Sequence, residues 1–162
     1  MTDRQRVFWG MMVGLLWSLV LLIGAALFVA IPVFALLPTI MTAFLAPGLV
    51  LAMMLGRVAV QRFVEANSGQ GLISEAGKVD RRVIQSTTEQ LVLAAAIWPA
   101  AAVLLGPYGP GVIVGLGLGF ALARLVYWVG CHRGPGLRAL GFSATFTPTV
   151  LVAIWALVAI LF

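Results

Sequence analysis

Charge is what this sequence has least of. Five acidic and ten basic residues in 162 make 9% of the chain charged, against roughly 25% in a soluble domain. The 62% that is hydrophobic exceeds what a soluble fold of this size can hide from water, and it excludes a disordered chain. There is one cysteine, Cys131, and one histidine, His132. A lone cysteine rules out an internal disulfide and a cysteine-rich metal site. The net charge of +5 has no soluble basic domain to carry it, so nucleic acid is not the implied partner. The cations read instead as topology signals at a membrane. No phosphate loop, nucleophile elbow or metal triad occurs, and no metal is expected.

What is present is a series of long apolar runs. A spanning helix needs about 20 mostly apolar residues, and five stretches qualify. They are about Val7–Ala30, Pro38–Phe63, Arg82–Leu105, Val112–Gly130 and Leu140–Phe162. Pro47 is expected to kink the second, and Pro148 lies within the fifth. The runs are continuous and far longer than barrel strands of about 9–11 residues, so the fold class is all-α integral membrane. The first run follows Arg4 and Arg6 and superficially resembles a secretory signal. It is too long for a signal core of about 7–15 residues and has no clean small-x-small ending, so it is read as a retained helix. A polar segment from Glu65 to Asp80 separates the second and third runs. The turn signal Gly106–Gly111 and a short basic loop, Cys131–Arg138, separate the others.

The charges orient these spans. With the N-terminus inside, the inner segments hold Arg4, Arg6, Arg57, Arg62, Lys78, Arg81, Arg82, Arg133 and Arg138. The outer connections, Ile31–Leu37 and Gly106–Gly111, hold none. Every cation except Arg124 then obeys the positive-inside rule. Arg4 and Arg57 read as ordinary topology-setting cations. His132, alone in a basic loop with no nearby carboxylate in sequence, reads as an interfacial residue. The spacing Gly111-x-x-x-Gly115-x-x-x-Gly119 reads as a helix-packing surface.

Two stretches carry polar groups into the membrane from the inner side. Arg82, Ser86 and Glu89 stand at i, i+4 and i+7 and share one helix face. Glu89 is then about 10 Å along the axis from Arg82, deep enough to need a partner. Arg124, Tyr127 or Trp128, and Cys131 repeat that spacing, and Arg124 is the only cation inside a span. An ion pair between Glu89 and Arg124, within one subunit or across two, would satisfy both.

These residues carry a resemblance. The run Arg82-x-x-x-Ser86-x-x-Glu89, followed by Ala123-Arg124-Leu125-x-Tyr127-x-x-Gly130-Cys131-x-Arg133-x-x-x-x-Arg138, resembles the MAPEG superfamily. These are the membrane-associated proteins of eicosanoid and glutathione metabolism. The runs Glu89–Leu93 and Gly141–Phe146 are similar to a bacterial branch. The resemblance implies a four-helix bundle over about residues 38–162, with residues 1–37 as an extra N-terminal transmembrane helix and its connection. It implies homotrimers with glutathione as thiol substrate between neighbours, near the cytoplasmic face of a bacterial inner membrane. It implies that Arg82 and Glu89 hold charged ends of the tripeptide, and that Ser86, Arg124, Tyr127, Cys131 and Arg133 help line the pocket. Arg138 would be catalytic, holding the thiolate, while a lipophilic small molecule or lipid arrives from the bilayer as electrophile.

Three positions depart from the family pattern. Ser86 stands where Asn is usual, Cys131 where Tyr is common, and Gln90 where the eicosanoid enzymes carry Tyr after the glutamate. They favour a second reading, a membrane scaffold or lipid-binding protein that keeps the fold without thiol chemistry.

Overall fold

The computed structural model describes residues 2–29, 31, 32, 35–67 and 75–161, with the backbone alone at Glu65 and Asn67. Ser68, Gly69, Gln70, Gly71 and Ser74 of the polar segment lie outside the described residues, as do Ala30 and Phe162 at the ends of two apolar runs. The described chain forms α1 (Asp3–Phe28), α2 (Leu36–Ala43), α3 (Leu45–Asn67), α4 (Glu75–Leu104), a 3-10 turn (Gly106–Tyr108), α5 (Gly109–Arg133) and α6 (Pro135–Leu161). No strand occurs among the described residues. Counting α2 and α3 as one span, five helical segments are long and apolar enough to cross a membrane. This is the all-α membrane architecture expected, an integral membrane bundle. Successive spans alternate in direction, so the start of α1, the end of α3, the start of α4, the end of α5 and the start of α6 share one end. All the described cations except Arg124 lie toward that charged end.

Three boundaries differ from the sequence expectation. Pro47 does more than kink the second span: the helix breaks at Phe44. Proline has no N–H for the carbonyl four residues earlier, and its ring crowds that carbonyl, which belongs to Ala43. The Ala43 carbonyl faces Gly117 of α5, where a side chain would collide with it. Next, the polar segment is partly helical, because α3 continues to Asn67 and α4 begins at Glu75. Finally, the basic loop Cys131–Arg138 reduces to a single residue, Gly134. Pro135 opens α6 at the first helical position, where a missing N–H costs nothing.

Side-chain volume decides which helices approach. The core toward the uncharged end gathers Trp98, Phe120, Ile113, Leu116 and Val152. The Trp98 ring packs against Phe44 at 5.2 Å and edge-on against Phe120 at 5.9 Å. Helix α1 lies in the groove between α5 and α6 and buries Gly10, Gly14, Ser18, Leu22 and Ala25, a ridge spaced mostly by four. Gly10 faces the Gly136 carbonyl, and a Cβ on Gly14 would stand 2.7 Å from Ser143 Cβ. The Ser143 hydroxyl donates to the Met11 carbonyl at 3.2 Å. On α5, Gly111, Gly115 and Gly119 meet Val29, Ala25 and Leu21 of α1. The glycine spacing seen in the sequence is therefore the seat of α1. Its outer face, with Phe8, Leu16, Val20, Ile23 and Leu27 exposed, is apolar enough for lipid.

Gly14→Ala should cost roughly 1–3 kcal/mol, because the added methyl overpacks the contact with Ser143. Gly24→Ala places the same methyl in open space and should leave stability unchanged or slightly raised. Thermal unfolding of both variants in detergent checks the difference.

Candidate functional site

Two polar centres occupy the charged half of the bundle. The first is built on Arg124, whose side chain is wholly buried. Its Nη1 donates to Ser86 Oγ at 3.2 Å and its Nη2 to Thr145 Oγ1 at 2.9 Å, while Nε has no partner. The guanidinium also lies 4.9 Å from the Tyr127 ring centre and 5.5 Å from that of Phe120. The Thr145 hydroxyl faces the carbonyls of Phe142 (3.0 Å) and Gly141 (3.2 Å), which take its proton and leave its lone pairs for the arginine. One cation thereby joins α4, α5 and α6. Gly141 makes this possible, since a Cβ there would strike the Tyr127 backbone.

The expected pair between Glu89 and Arg124 does not form within the chain. Hydroxyls of Ser86 and Thr145 hold the guanidinium, and the exposed Glu89 accepts from Gln85 Nε2 at 3.0 Å. The reason is angular. The buried edge of α4 runs Asp80, Val83, Thr87, Gln90 and Ala94. Arg82, Ser86 and Glu89 stand one position away, on the flank of that edge, with Arg82 and Glu89 exposed and Ser86 half-buried. Cys131 is half-buried within hydrogen-bonding reach of Tyr127, and it feels the charges of Arg138, Arg82 and Arg124. Arg138 is exposed in the first turn of α6, and its backbone packs on Gly130. Ser86, Arg124, Tyr127 and Cys131 are thus brought together, with Arg82, Glu89 and Arg138 around their rim. Arg133 is not among them. Nine residues beyond Arg124, it projects from the opposite side of α5, exposed beside Trp128, Val129 and His132.

The second centre was not anticipated. Asp80, with its side chain only 2% exposed, accepts from Arg57 Nε (2.9 Å) and Gln61 Nε2 (2.8 Å) on Oδ2. Its Oδ1 accepts from Trp128 Nε1 at 2.8 Å and faces His132 Nε2 at 3.3 Å. The Arg57 guanidinium lies 5.4 Å from the Trp128 ring. Two sequence readings are corrected here. Arg57 is the counter-ion of a buried carboxylate rather than a purely topological cation, and His132 does have a carboxylate beside it. Thr145 and Asp80 are the polar residues that sequence reasoning passed over. Thr145 had a signal, a hydroxyl within an apolar span. Asp80 was masked by its place at the edge of a polar segment.

A bundle of helices long and apolar enough to span a membrane, with polar side chains gathered near one end, defines an integral membrane protein. A family model described as the MAPEG family matches residues 34–158. The chain belongs to the MAPEG family, whose members generally use glutathione as a substrate and are generally oligomeric. At family level its function is membrane glutathione transferase-like or a related one. Nothing among curated proteins or solved structures matches the chain significantly.

Asp80→Ala should destabilise the charged end by roughly 1–3 kcal/mol, because it strips the acceptor from the Trp128 indole and the Gln61 amide. Arg133→Ala, which removes no such bond, should be near neutral. Detergent unfolding curves compare the two.

Proposed function

We propose that the chain is a membrane-embedded enzyme that transfers glutathione, or a related small thiol, to a lipophilic electrophile at a site between copies of a homotrimer. The observation that carries this reading is the state of Glu89. It is exposed on the flank of α4, about 10 Å along the helix from Arg82, in a segment apolar enough to span a bilayer. A carboxylate left facing lipid at that depth is costly. A neighbouring copy bringing a polar ligand against this flank removes the cost.

In this reading residues 38–162 carry the site and residues 1–37 add a helix to it. Arg82 binds a carboxylate of the tripeptide and Glu89 its amino group, while Arg124 and Tyr127 form the inner wall with Ser86 and Cys131. Arg138, on the rim, holds the thiolate by charge. The thiol loses its proton to solvent water, sulfur attacks the electrophilic carbon, and the electron pair of the broken bond leaves with the departing group or opened ring. The lipophilic substrate arrives from the bilayer, and the site faces the cytoplasm of a bacterial inner membrane.

A second reading, a scaffold without thiol chemistry, is favoured by one observation. The Ser86 hydroxyl, which stands for the usual amide, is already engaged by Arg124.

Glutathione should raise the unfolding temperature of the detergent-solubilised wild type. It should also be conjugated to a generic aryl halide such as chlorodinitrobenzene. Arg138→Ala should lower that rate about 10²-fold, the loss typical of removing one charge-stabilising donor, with subunit stoichiometry unchanged. A wild-type rate in the variant would refute the role given to Arg138. Absence of any glutathione-dependent shift in the wild type would favour the scaffold.

A further inference from the structure

A cleft of about 300 Å³ opens between α3 and α5, lined by Arg57, Trp128, Val129, His132 and Arg133. Below Arg133 a second groove of about 340 Å³ is lined by Leu125, Val126, Val129 and Leu137. The two share Val129 and Arg133, so a cationic cleft continues into an apolar channel along α5. We propose that this face binds an anionic glycerophospholipid, with the phosphate group between Arg57 and Arg133 and an acyl chain in the apolar groove.

Charge and depth both support this occupant. Asp80 takes the Nε of Arg57 and is itself nearly inaccessible, so the half-exposed guanidinium, which lines the cleft, is held in place. Arg133 is exposed at the last turn of α5. His132 Nδ1 lies 3.0 Å from the Trp128 carbonyl and Nε2 faces Asp80, so both ring nitrogens are engaged and the ring forms a wall of the cleft. An anion entering here meets at least two cations against one buried carboxylate. Val126 lies seven residues back along α5, about 10 Å toward the middle of the span. That is the direction a lipid chain takes from a phosphate held at the interface. Trp128, between the cations and the apolar wall, is the side chain suited to that boundary. The groove is on the side of α5 remote from Arg124, so within the protomer its occupant does not reach the buried arginine.

The test is lipid retention by the purified full-length chain, read by native mass spectrometry in detergent. Phosphatidylglycerol should be retained in preference to phosphatidylcholine, and inorganic phosphate at equal concentration should not displace it. Arg133→Gln should weaken retention about fivefold, the ratio one basic residue contributes near an anionic lipid surface. Val129→Trp, which fills the shared wall, should weaken it too. Arg4→Gln, which removes an exposed cation from α1, should have no effect. Equal retention of both lipids, equal losses in Arg4→Gln and Arg133→Gln, or displacement by phosphate would each overturn the proposal. So would a changed subunit stoichiometry in Arg133→Gln, which would mean that a second copy covers this face.

Discussion

The buried carboxylate of Asp80 is the interaction on which the charged end of the bundle depends. With no water in the hydrocarbon layer, each polar group there must be satisfied by protein or placed at the rim. Asp80 meets this requirement with the Arg57 guanidinium, the Gln61 amide and the Trp128 indole, and it faces the His132 ring. These partners come from both neighbouring helices, so one side chain sets the spacing of α3, α4 and α5 together. Its cost is contained because Arg57 is half-exposed, so the ion pair is not sealed off on both sides. A fully buried pair would pay the desolvation of both ions.

Arg124 solves the same problem differently. It is buried to completion and given two hydroxyls and two aromatic faces instead of a carboxylate. Neutral partners leave its positive charge uncancelled inside the protomer. Glu89 stands on the exposed flank of α4, where it accepts a hydrogen bond from Gln85 and feels the charge of Arg124 without touching it. The two opposite charges feel each other across adjacent helices but make no direct ion pair, so the contact between them is left open at the flank of the protomer. That open contact, rather than the presence of polar residues as such, is the feature on which the proposed ligand site rests.

The length of the apolar runs made the five spans legible, since few structures other than a membrane helix need 20 uninterrupted apolar residues. The glycines at 111, 115 and 119 were legible as a packing surface, though not for which partner, because nothing in α5 itself specifies α1. Ends were read less well. Glu75–Asp80 is polar and was assigned to a loop, yet it is the first turns of α4, made helical by contacts that sequence periodicity does not contain. Asp80 meets Arg57 across 23 residues and Trp128 across 48. Pairings over such separations leave no local trace. The motif spacing of Arg82, Ser86 and Glu89 was correct as a shared face, but spacing alone does not say whether a face points inward or sideways. The answer came from the buried edge one residue away, where Val83, Thr87 and Gln90 fill the bundle.

Helix α5 shows why one short segment can carry so many roles. Toward the uncharged end its small residues admit α1 and the carbonyl of Ala43, which fixes the helix tightly in the bundle. Toward the charged end it changes character around its circumference. Arg124 and Tyr127 point into the bundle, Trp128 and His132 turn to Asp80, and Val129 and Arg133 look outward. A helix packed loosely at its far end could roll and exchange these faces. The close contacts at Gly111, Gly115 and Gly117 resist that rotation, and Gly130 and Gly141 lock the other end against α6. Glycine packing far from any charge therefore keeps the buried cation, the carboxylate's partners and the outward arginine each on its own side.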